Sequence, residues 1–275
     1  MLNSYSSMIF RCVNPGETTH LQRQDLALII DKITVDMPTG YGLYLAKEPC
    51  QNTSSAPRKV YNLPKGCVSG SFVLLDENKA IHLLETDDIP DRTLFTTGLC
   101  NSNCIMCPYS EKYRLSSKIE PIEMLSRFVD LMDPYSDYVC ITGGEPTLLK
   151  WDFIGLVKKV TEHFQSVMLH ILTNGRTFAY KDFLEEFLRV RPYRTLLGIP
   201  LHADNASLHD SITQSNGSFT ETIRGLDNLY SKGERIELRI VTSKLNSNNL
   251  PALSKMIAQR YPYKPCYGIK GCAFL

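Results

Sequence analysis

The sequence lacks the features that mark an exported, membrane-spanning or polyanion-binding protein. Its 30 lysines and arginines nearly balance 29 aspartates and glutamates, which leaves a formal net charge of +1. Such a balance gives no support to nucleic acid or a membrane surface as the main partner. No window approaches the roughly 18 uninterrupted apolar residues of a transmembrane helix. The first residues contain no long apolar run, so we predict no signal peptide and a cytoplasmic protein.

Cysteine is plentiful but unevenly placed. The 275 residues include nine cysteines, and without an export signal an odd number favours reduced thiols and metal over disulfides. Three of them, Cys100, Cys104 and Cys107, follow the spacing C-x3-C-x2-C with no fourth cysteine close behind. Since four thiolates saturate an ordinary iron–sulfur cluster, three leave one iron open for chemistry. A structural zinc knuckle is the alternative, although Cys266 and Cys272 fit poorly as its second pair.

The character of the chain changes near residue 90. Residues 1–90 are predicted to form a small β-rich domain with a hairpin over 71–84 and a short helix over 25–33. From 91 to 275, strand–loop–helix units alternate, which favours a parallel sheet. The predicted strands are 94–97, 138–142, 167–172, 195–201, 236–241 and 267–275, and the predicted helices are 121–132, 151–164, 180–190, 218–233 and 250–261. At roughly 30 residues a unit, this domain holds about six units.

The helix over 218–233 opens with a capping-box spacing, Ser218 followed by Glu221. No helix follows the sixth predicted strand, so we expect a barrel that is short at its C-terminal end. His209 is expected on the surface of a helix.

Polar or flexible residues follow several predicted strands, where parallel strands share one edge. The cysteines follow the first strand, and Gly143-Gly144-Glu145-Pro146 follows the second. Two glycines let a ligand approach the backbone closely, although a simple turn is the alternative. Asn174 ends the third strand, His202 follows the fourth and Arg239 lies in the fifth. The Arg239 guanidinium suits a carboxylate, either on a ligand or in an ion pair with Glu145.

The cysteine run and the Gly-Gly-Glu-Pro loop together resemble the signature of radical S-adenosylmethionine (SAM) enzymes. The resemblance implies an α/β fold, a partial (β/α)6 barrel preceded by the small β-rich domain. It also implies a [4Fe–4S] cluster on the three cysteines, whose fourth iron is chelated by SAM. Reductive cleavage of SAM then gives a 5′-deoxyadenosyl radical that abstracts hydrogen from the substrate. The cofactors carry this chemistry, and the protein supplies position and electrostatics.

The same resemblance implies which residues contact SAM. The loop of Gly143, Gly144 and Glu145 corresponds to the motif that binds the methionyl ammonium group. Asn174, His202 and Arg239 correspond to positions that reach the ribose or the carboxylate. Met106 stands where many members carry an aromatic residue near the adenine, and methionine can fill the same apolar space. No catalytic residue beyond the cluster is predicted.

Two stretches, 94–107 and 199–226, together with the hairpin, resemble the third protein of the His-Xaa-Ser peptide system. This resemblance implies a maturase of a short, ribosomally made precursor peptide, working beside a second radical SAM protein. An electron donor such as flavodoxin or ferredoxin is implied, and the N-terminal domain is expected to help bind the peptide. His202 departs from the tyrosine expected there. Three alternatives stay open: a glycyl-radical activating enzyme, a small-molecule radical SAM enzyme, and a non-enzymatic zinc-binding interaction protein.

Overall fold

The chain divides into two compact units. The computed structural model describes residues 8–34, 36–51, 59–76, 78–85, 92–116, 122–262 and 270–273. One unit comprises residues 1–90 with 126–133, and the other comprises 91–125 with 134–275. Each unit has its own six-stranded sheet. Within the described part of the chain, no helix combines the length and the apolar character needed to cross a bilayer.

The first unit is built on a mixed sheet. Its strands are β1 (Met8–Val13), β2 (Leu26–Ile30), β3 (Leu43–Ala46), β4 (Val60–Asn62), β5 (Phe72–Leu75) and β6 (Ile81–Glu85), arranged in the order β4-β3-β2-β1-β5-β6. The first four strands are parallel, whereas β5 and β6 pair antiparallel. Connections of about a dozen residues suffice to return each parallel strand to the same end of the sheet. The predicted hairpin over 71–84 is confirmed by the β5–β6 pairing.

The predicted helix over 25–33 is wrong, because most of that segment is strand β2. All five residues of β2 are buried, and the strand pairs with β1 on one side and β3 on the other. Ala27 and Ile29 belong to one apolar cluster and Leu28 and Ile30 to a second. A strand covered on both faces is a continuous apolar run, and periodicity alone does not separate such a run from a buried helix.

The second unit is a parallel α/β half-barrel. Its strands are β7 (Arg92–Phe95), β8 (Tyr138–Thr142), β9 (Met168–Leu172), β10 (Thr195–Pro200), β11 (Ile236–Thr242) and β12 (Lys270–Ala273), in the order β12-β11-β10-β9-β8-β7. Its helices are α1 (Glu111–Ser116), α3 (Trp151–His163), α4 (Lys181–Val190), α5 (Ala206–Thr213), α6 (Ser218–Ser231) and α7 (Leu250–Arg260). The first four residues of α2 (Ile122–Leu131) also belong to this unit. All strand pairs are parallel. The predicted fold class, a partial (β/α)6 barrel after a β-rich segment, is confirmed.

Part of helix α2 belongs to the first unit, since residues 126–133 pack there. The rings of Phe128 and Phe72 meet edge to face with centroids 4.8 Å apart. Arg127 Nη2 lies 2.5 Å from Asp25 Oδ1. These two contacts fix the segment against the sheet of the first unit through one aromatic pair and one ion pair.

The parallel strands bury one of their two faces completely. In β9 and β10, Leu169, Ile171, Leu197 and Ile199 have no exposed surface, whereas the alternating His170 keeps some accessibility. Successive side chains point to opposite faces of a strand, so one face forms the apolar core. The other face is free to carry polar groups. Since the strands are parallel, their carboxyl ends share one edge.

The start of helix α6 differs from the predicted capping box. Its N-cap is Gly217, and Ser218 makes no capping hydrogen bond of its own. Asp210, near the end of α5, accepts instead from the backbone N–H groups of Gly217 at 2.7 Å and Phe219 at 2.8 Å. A carboxylate from the preceding helix therefore satisfies the free donors of α6. Glu221 is drawn away from the helix start by an ion pair with Arg176.

Two helical glycines allow a matched test of the packing of α6. A Cβ atom at Gly225 of α6 would lie 2.1 Å from the Gly175 carbonyl oxygen, whereas one at Gly155 of α3 meets nothing within 4 Å. We expect Gly225→Ala to cost about 1–3 kcal/mol of stability by overpacking. Gly155→Ala is expected to raise the free energy of unfolding by about 0.5–1 kcal/mol, because alanine is the better helix former. Denaturant unfolding of both variants measures these changes. Equal changes in the free energy of unfolding would contradict the prediction.

Candidate functional site

The three predicted metal ligands lie in the loop that leaves β7 at the carboxyl edge of the half-barrel. Cys100, Cys104 and Cys107 are all half-buried. The loop is fastened to the end of α5 by two backbone bonds: Asn103 N–H donates to the Thr213 carbonyl at 2.9 Å, and Ile105 N–H donates to the Ile212 carbonyl at 3.0 Å. These bonds hold the cysteine loop, residues 98–107, in a defined path.

Burial desolvates the thiols of Cys100 and Cys104. Burial raises the pKa of Cys100 to about 11, and the Glu145 carboxylate and the other two thiols add to the rise. Burial also raises the pKa of Cys104, with Cys107 adding to it. Metal binding therefore has to displace protons from these thiols.

Three thiols on one anchored loop are the donor type that iron–sulfur clusters use. In this respect the residues fit such a cluster. Among the residues the structure describes, no three His, Cys, Asp or Glu side chains converge closely enough to hold a single metal ion. A [4Fe–4S] cluster does not require this convergence, because each thiolate binds a different iron.

The glycine pair is required by the approach of the cysteine loop. Gly143 has φ +154°, and a Cβ there would lie 2.4 Å from the Thr97 carbonyl oxygen. At Gly144 a Cβ would lie 2.3 Å from the Leu99 carbonyl oxygen. Backbone bonds then join the loops, since Gly144 N–H donates to Thr97 at 2.6 Å and Glu145 N–H donates to Leu99 at 2.8 Å. We predicted glycines for close approach of a ligand, and the structure shows close approach of a neighbouring loop.

Glu145 is fully buried, and its carboxylate joins two strand ends. Oε1 accepts from Thr147 N at 3.0 Å, Thr147 Oγ1 at 2.6 Å and Thr173 Oγ1 at 2.7 Å, while Oε2 accepts from Asn174 N at 2.6 Å. Burial raises the pKa of Glu145, and these hydrogen bonds oppose the rise. The alternative of an ion pair with Arg239 is wrong. The carboxylate instead ties the loop after β8 to the loop after β9.

Asn174 lies against the cysteine loop, as its position after β9 predicts. Its Nδ2 donates to Asn101 Oδ1 at 2.6 Å, and its Oδ1 accepts from Arg176 N at 3.1 Å. The side chain is half-buried. Gly175 follows in the left-handed region at φ +78°, which allows the sharp turn that an Asn-Gly pair predicts. Asn174 thus serves both as a turn residue and as a contact of the cysteine loop.

His202 and His209 form a buried, stacked pair. Each is 2% exposed, and their ring centroids are 5.6 Å apart. Burial and then the charge of His209 lower the pKa of His202 to about 4. His202 Nδ1 has no hydrogen-bond partner among the described residues, whereas His209 Nδ1 lies 3.1 Å from Ser218 Oγ. The expectation that His209 lies on a helix surface is wrong, because α5 turns that side chain inward against His202.

Arg239 and Met106 are both half-buried. Arg239 lies in β11 opposite Pro200 of β10, is half-buried, and forms no ion pair with the residues that the structure describes. Gly198 of β10 leaves room for it, since a Cβ there would lie 3.3 Å from Arg239 Cδ. Met106 is half-buried in the cysteine loop.

Three residues that connect these loops were not predicted from the sequence. Thr147 and Thr173 bind the Glu145 carboxylate, and Arg176 binds the backbone of the cysteine loop at Asn101. Their signal was the position of each within five residues of the end of a predicted strand, near the positions that picked out Asn174. A Thr or Arg near a strand end carries no specific spacing, so this signal alone did not mark these residues.

A parallel half-barrel that gathers three cysteines and a glycine loop at its carboxyl edge defines the class of (β/α) proteins whose chemistry lies at that edge. The family model of the radical SAM superfamily matches residues 94–246, more than half of the chain. The chain belongs to the radical SAM superfamily. Members of this superfamily use a [4Fe–4S] cluster and SAM.

The chain is also similar to curated proteins. The chain is 25% identical over 189 residues to Fe-coproporphyrin III synthase of Methanosarcina barkeri, covering 68% of this chain and 46% of that protein. It is 29% identical over 157 residues to the antilisterial bacteriocin subtilosin biosynthesis protein AlbA of Bacillus subtilis, covering 57% and 33%. The chain therefore spans less than half the length of these curated relatives.

A solved structure shares the fold. Streptococcus suis SuiB, in a crystal structure bound to precursor peptide SuiA, matches with a TM-score of 0.50 and 17% identity, covering 62% of this chain and 37% of that chain.

The buried His202 makes stability depend on pH. Its pKa of about 4 lies below the ordinary 6.5, so the unfolded chain binds the proton more readily. The contribution of His202 is complete above pH 6.5 and is lost as the pH falls towards 4. Relative to a His202→Phe variant, the wild type is expected to lose about 2 kcal/mol of unfolding free energy between pH 7.5 and pH 5. Chemical denaturation at a series of pH values measures the free energy of unfolding of both proteins. If the two curves against pH run parallel, the prediction is contradicted.

Proposed function

We propose that this protein reductively cleaves SAM at a [4Fe–4S] cluster to modify a ribosomally synthesised precursor peptide of the His-Xaa-Ser type in the cytoplasm. One observation carries the proposal: three half-buried cysteines share an anchored loop at the carboxyl edge of six parallel strands. When bound, the cluster and SAM would carry the reductive cleavage themselves. The protein's own residues hold, orient and desolvate these groups.

In this proposal Cys100, Cys104 and Cys107 are the cluster ligands. They supply three thiolates, so one iron is left for SAM. The half-buried positions of all three limit access of water to the cluster. Low solvent exposure and hydrogen bonds around the sulfurs are the means by which a protein tunes a cluster.

The neighbouring strand ends are assigned to SAM. The loop of Gly143, Gly144 and Glu145 binds the amino group, and the buried Glu145 carboxylate fixes the path of that loop. Asn174 and His202 are assigned to the ribose, and Arg239 to the carboxylate. His202 Nδ1, buried without a partner among the described residues, is suited to a ligand hydroxyl, because an unpaired buried polar atom is costly. The Arg239 guanidinium can form a bidentate pair with a carboxylate, and Met106 packs near the adenine.

A peptide substrate is supported by two of the similar proteins. The name of AlbA concerns biosynthesis of the bacteriocin subtilosin, and SuiB is bound to a precursor peptide. A second radical SAM protein and an electron donor such as flavodoxin or ferredoxin complete the proposed system. The N-terminal unit is assigned to peptide binding, since β6 ends its sheet with no further strand among the described residues. An edge strand can accept an added peptide strand.

The cluster assignment is tested by single cysteine substitutions. After anaerobic reconstitution with iron and sulfide, then addition of dithionite and SAM, the wild type is expected to release 5′-deoxyadenosine. Cys100→Ala, Cys104→Ala and Cys107→Ala are each expected to lose that product and the brown charge-transfer absorption. Cys50→Ala is the matched control, because Cys50 is also half-buried but lies in the first unit. A colourless wild-type protein that binds zinc would contradict the proposal and favour the zinc-binding alternative.

The substrate assignment is tested with a synthetic peptide that carries several His-Xaa-Ser repeats. We expect a mass change in this peptide, dependent on SAM and dithionite, and none in a scrambled peptide of the same composition. A version with N-methylated amides at alternate positions should bind more weakly, because an added strand needs its N–H groups.

Two results would contradict the peptide proposal. Turnover of a porphyrin instead of any peptide would favour a small-molecule enzyme, as the name of the Methanosarcina relative suggests. A glycyl radical formed on a large partner protein would favour an activating enzyme. The 5′-deoxyadenosine assay separates both from failure of the cluster itself.

A further inference from the structure

Arg176 is a largely buried cation beside the cysteine loop. It opens the 3₁₀ turn Arg176–Ala179, directly after the left-handed Gly175. Its side chain is 11% exposed, although a charged side chain is rarely buried unless it is paired. Arg176 lies four residues beyond the end of β9 at Leu172.

The Arg176 guanidinium contacts the cysteine loop and α6 together. Nη1 donates to the Asn101 carbonyl at 2.6 Å, to Ser102 Oγ at 3.0 Å and to Ser215 Oγ at 3.0 Å. Nε donates to Glu221 Oε2 at 2.6 Å. One side chain therefore joins the backbone between the first two cysteines to the start of α6.

A second hydrogen bond converges on the same carbonyl. Ser215 Oγ donates to the Asn101 carbonyl at 3.2 Å, and Asn174 Nδ2 binds the Asn101 side chain at 2.6 Å. Asn101 follows Cys100 immediately, so these bonds constrain the loop backbone next to that thiol. The contacts around Asn101 come from the turn after β9 and the segment before α6.

The arrangement of acceptors around residue 176 suits arginine better than lysine. A guanidinium presents several donors in a fixed plane, so it can bind a carboxylate and a carbonyl at the same time. A lysine ammonium is a compact point charge with a flexible stem and does not reproduce this arrangement. Hydrogen bonds from a charged donor are also stronger than neutral ones.

We propose that Arg176 is a positioning residue that holds the cysteine loop in the conformation that receives the iron–sulfur cluster. This inference rests on the proposed function, because the loop is taken to be the cluster site. Among the described residues Arg176 makes no hydrogen bond to the three thiols, and its charge acts on Cys104 only by opposing the rise in the pKa of that thiol. The competing explanation is an ordinary ion pair between Arg176 and Glu221 that stabilises α6 alone.

The test compares four variants with the full-length wild type. Arg176→Gln removes the cation, Arg176→Lys keeps the charge without the planar donors, and Glu221→Gln removes the ion pair while leaving the loop contacts. Arg224→Gln is the control, since Arg224 is an exposed cation on the same helix α6. Thermal unfolding verifies that each variant folds. If Arg176→Gln does not fold, Ser215→Ala takes its place, because it removes one bond to Asn101 without a change of charge.

The first readout is hydrogen–deuterium exchange over residues 98–107 in metal-free protein. In Arg176→Gln we expect exchange of this segment to be about tenfold faster, the effect of losing a charge-assisted hydrogen bond. Arg176→Lys should recover only part of the protection. Glu221→Gln and Arg224→Gln should leave it close to wild type. Unchanged exchange in Arg176→Gln, or equal loss in Glu221→Gln, would overturn the proposal.

The second readout is the iron retained per chain after anaerobic reconstitution and gel filtration, with the electron paramagnetic resonance spectrum of the reduced protein. We expect Arg176→Gln to lose iron about tenfold faster than wild type and to show an altered spectrum. Wild-type iron retention in this variant would overturn the inference. If the wild type binds no iron, the proposed function fails, and faster loop exchange in Arg176→Gln would still establish that Arg176 positions the loop.

Discussion

The buried carboxylate of Glu145 is the interaction on which the arrangement of the candidate site depends. It has no exposed surface, and four hydrogen bonds from the loops after β8 and β9 reach its two oxygens. A buried carboxylate without such donors is strongly destabilising. The two loops are consequently held at the geometry that satisfies it. The loop after β7 follows, since its backbone pairs with Gly144 and Glu145.

The cysteine loop is thus positioned by polar contacts more than by its own sequence. On one side it pairs with the glycine loop, on another with the end of α5, and at Asn101 with Asn174 and Arg176. Each partner comes from a different βα unit of the parallel sheet. Carboxyl ends of parallel strands share an edge, so residues far apart in sequence become neighbours there. A loop that carries candidate ligands can therefore be held in one path by its neighbours.

The sequence was sufficient for most elements of the second unit because its pattern is regular, although α1 and α5 were not among the predicted helices. Strands β8 and β10 and helices α3, α4, α6 and α7 lie within one or two residues of the predicted ranges. Amphipathic helices alternate there with short apolar strands, and this alternation is the clearest periodic signal that a sequence carries. The first unit gave a weaker signal. Its strand β2 is buried on both faces and was mistaken for a helix, since a uniformly apolar segment has no period.

The sequence by itself determined the superfamily. The C-x3-C-x2-C spacing, the glycine loop one unit later and the six-unit repeat are enough to specify it. Only the tertiary structure decided what each side chain touches. It placed Glu145 among four donors, turned His209 inward against His202, gave the capping of α6 to Asp210 and brought Arg176 to Asn101. The physical reason is that motif spacing is local, whereas burial and hydrogen-bond partnership depend on elements that the chain brings together only when the sheet forms.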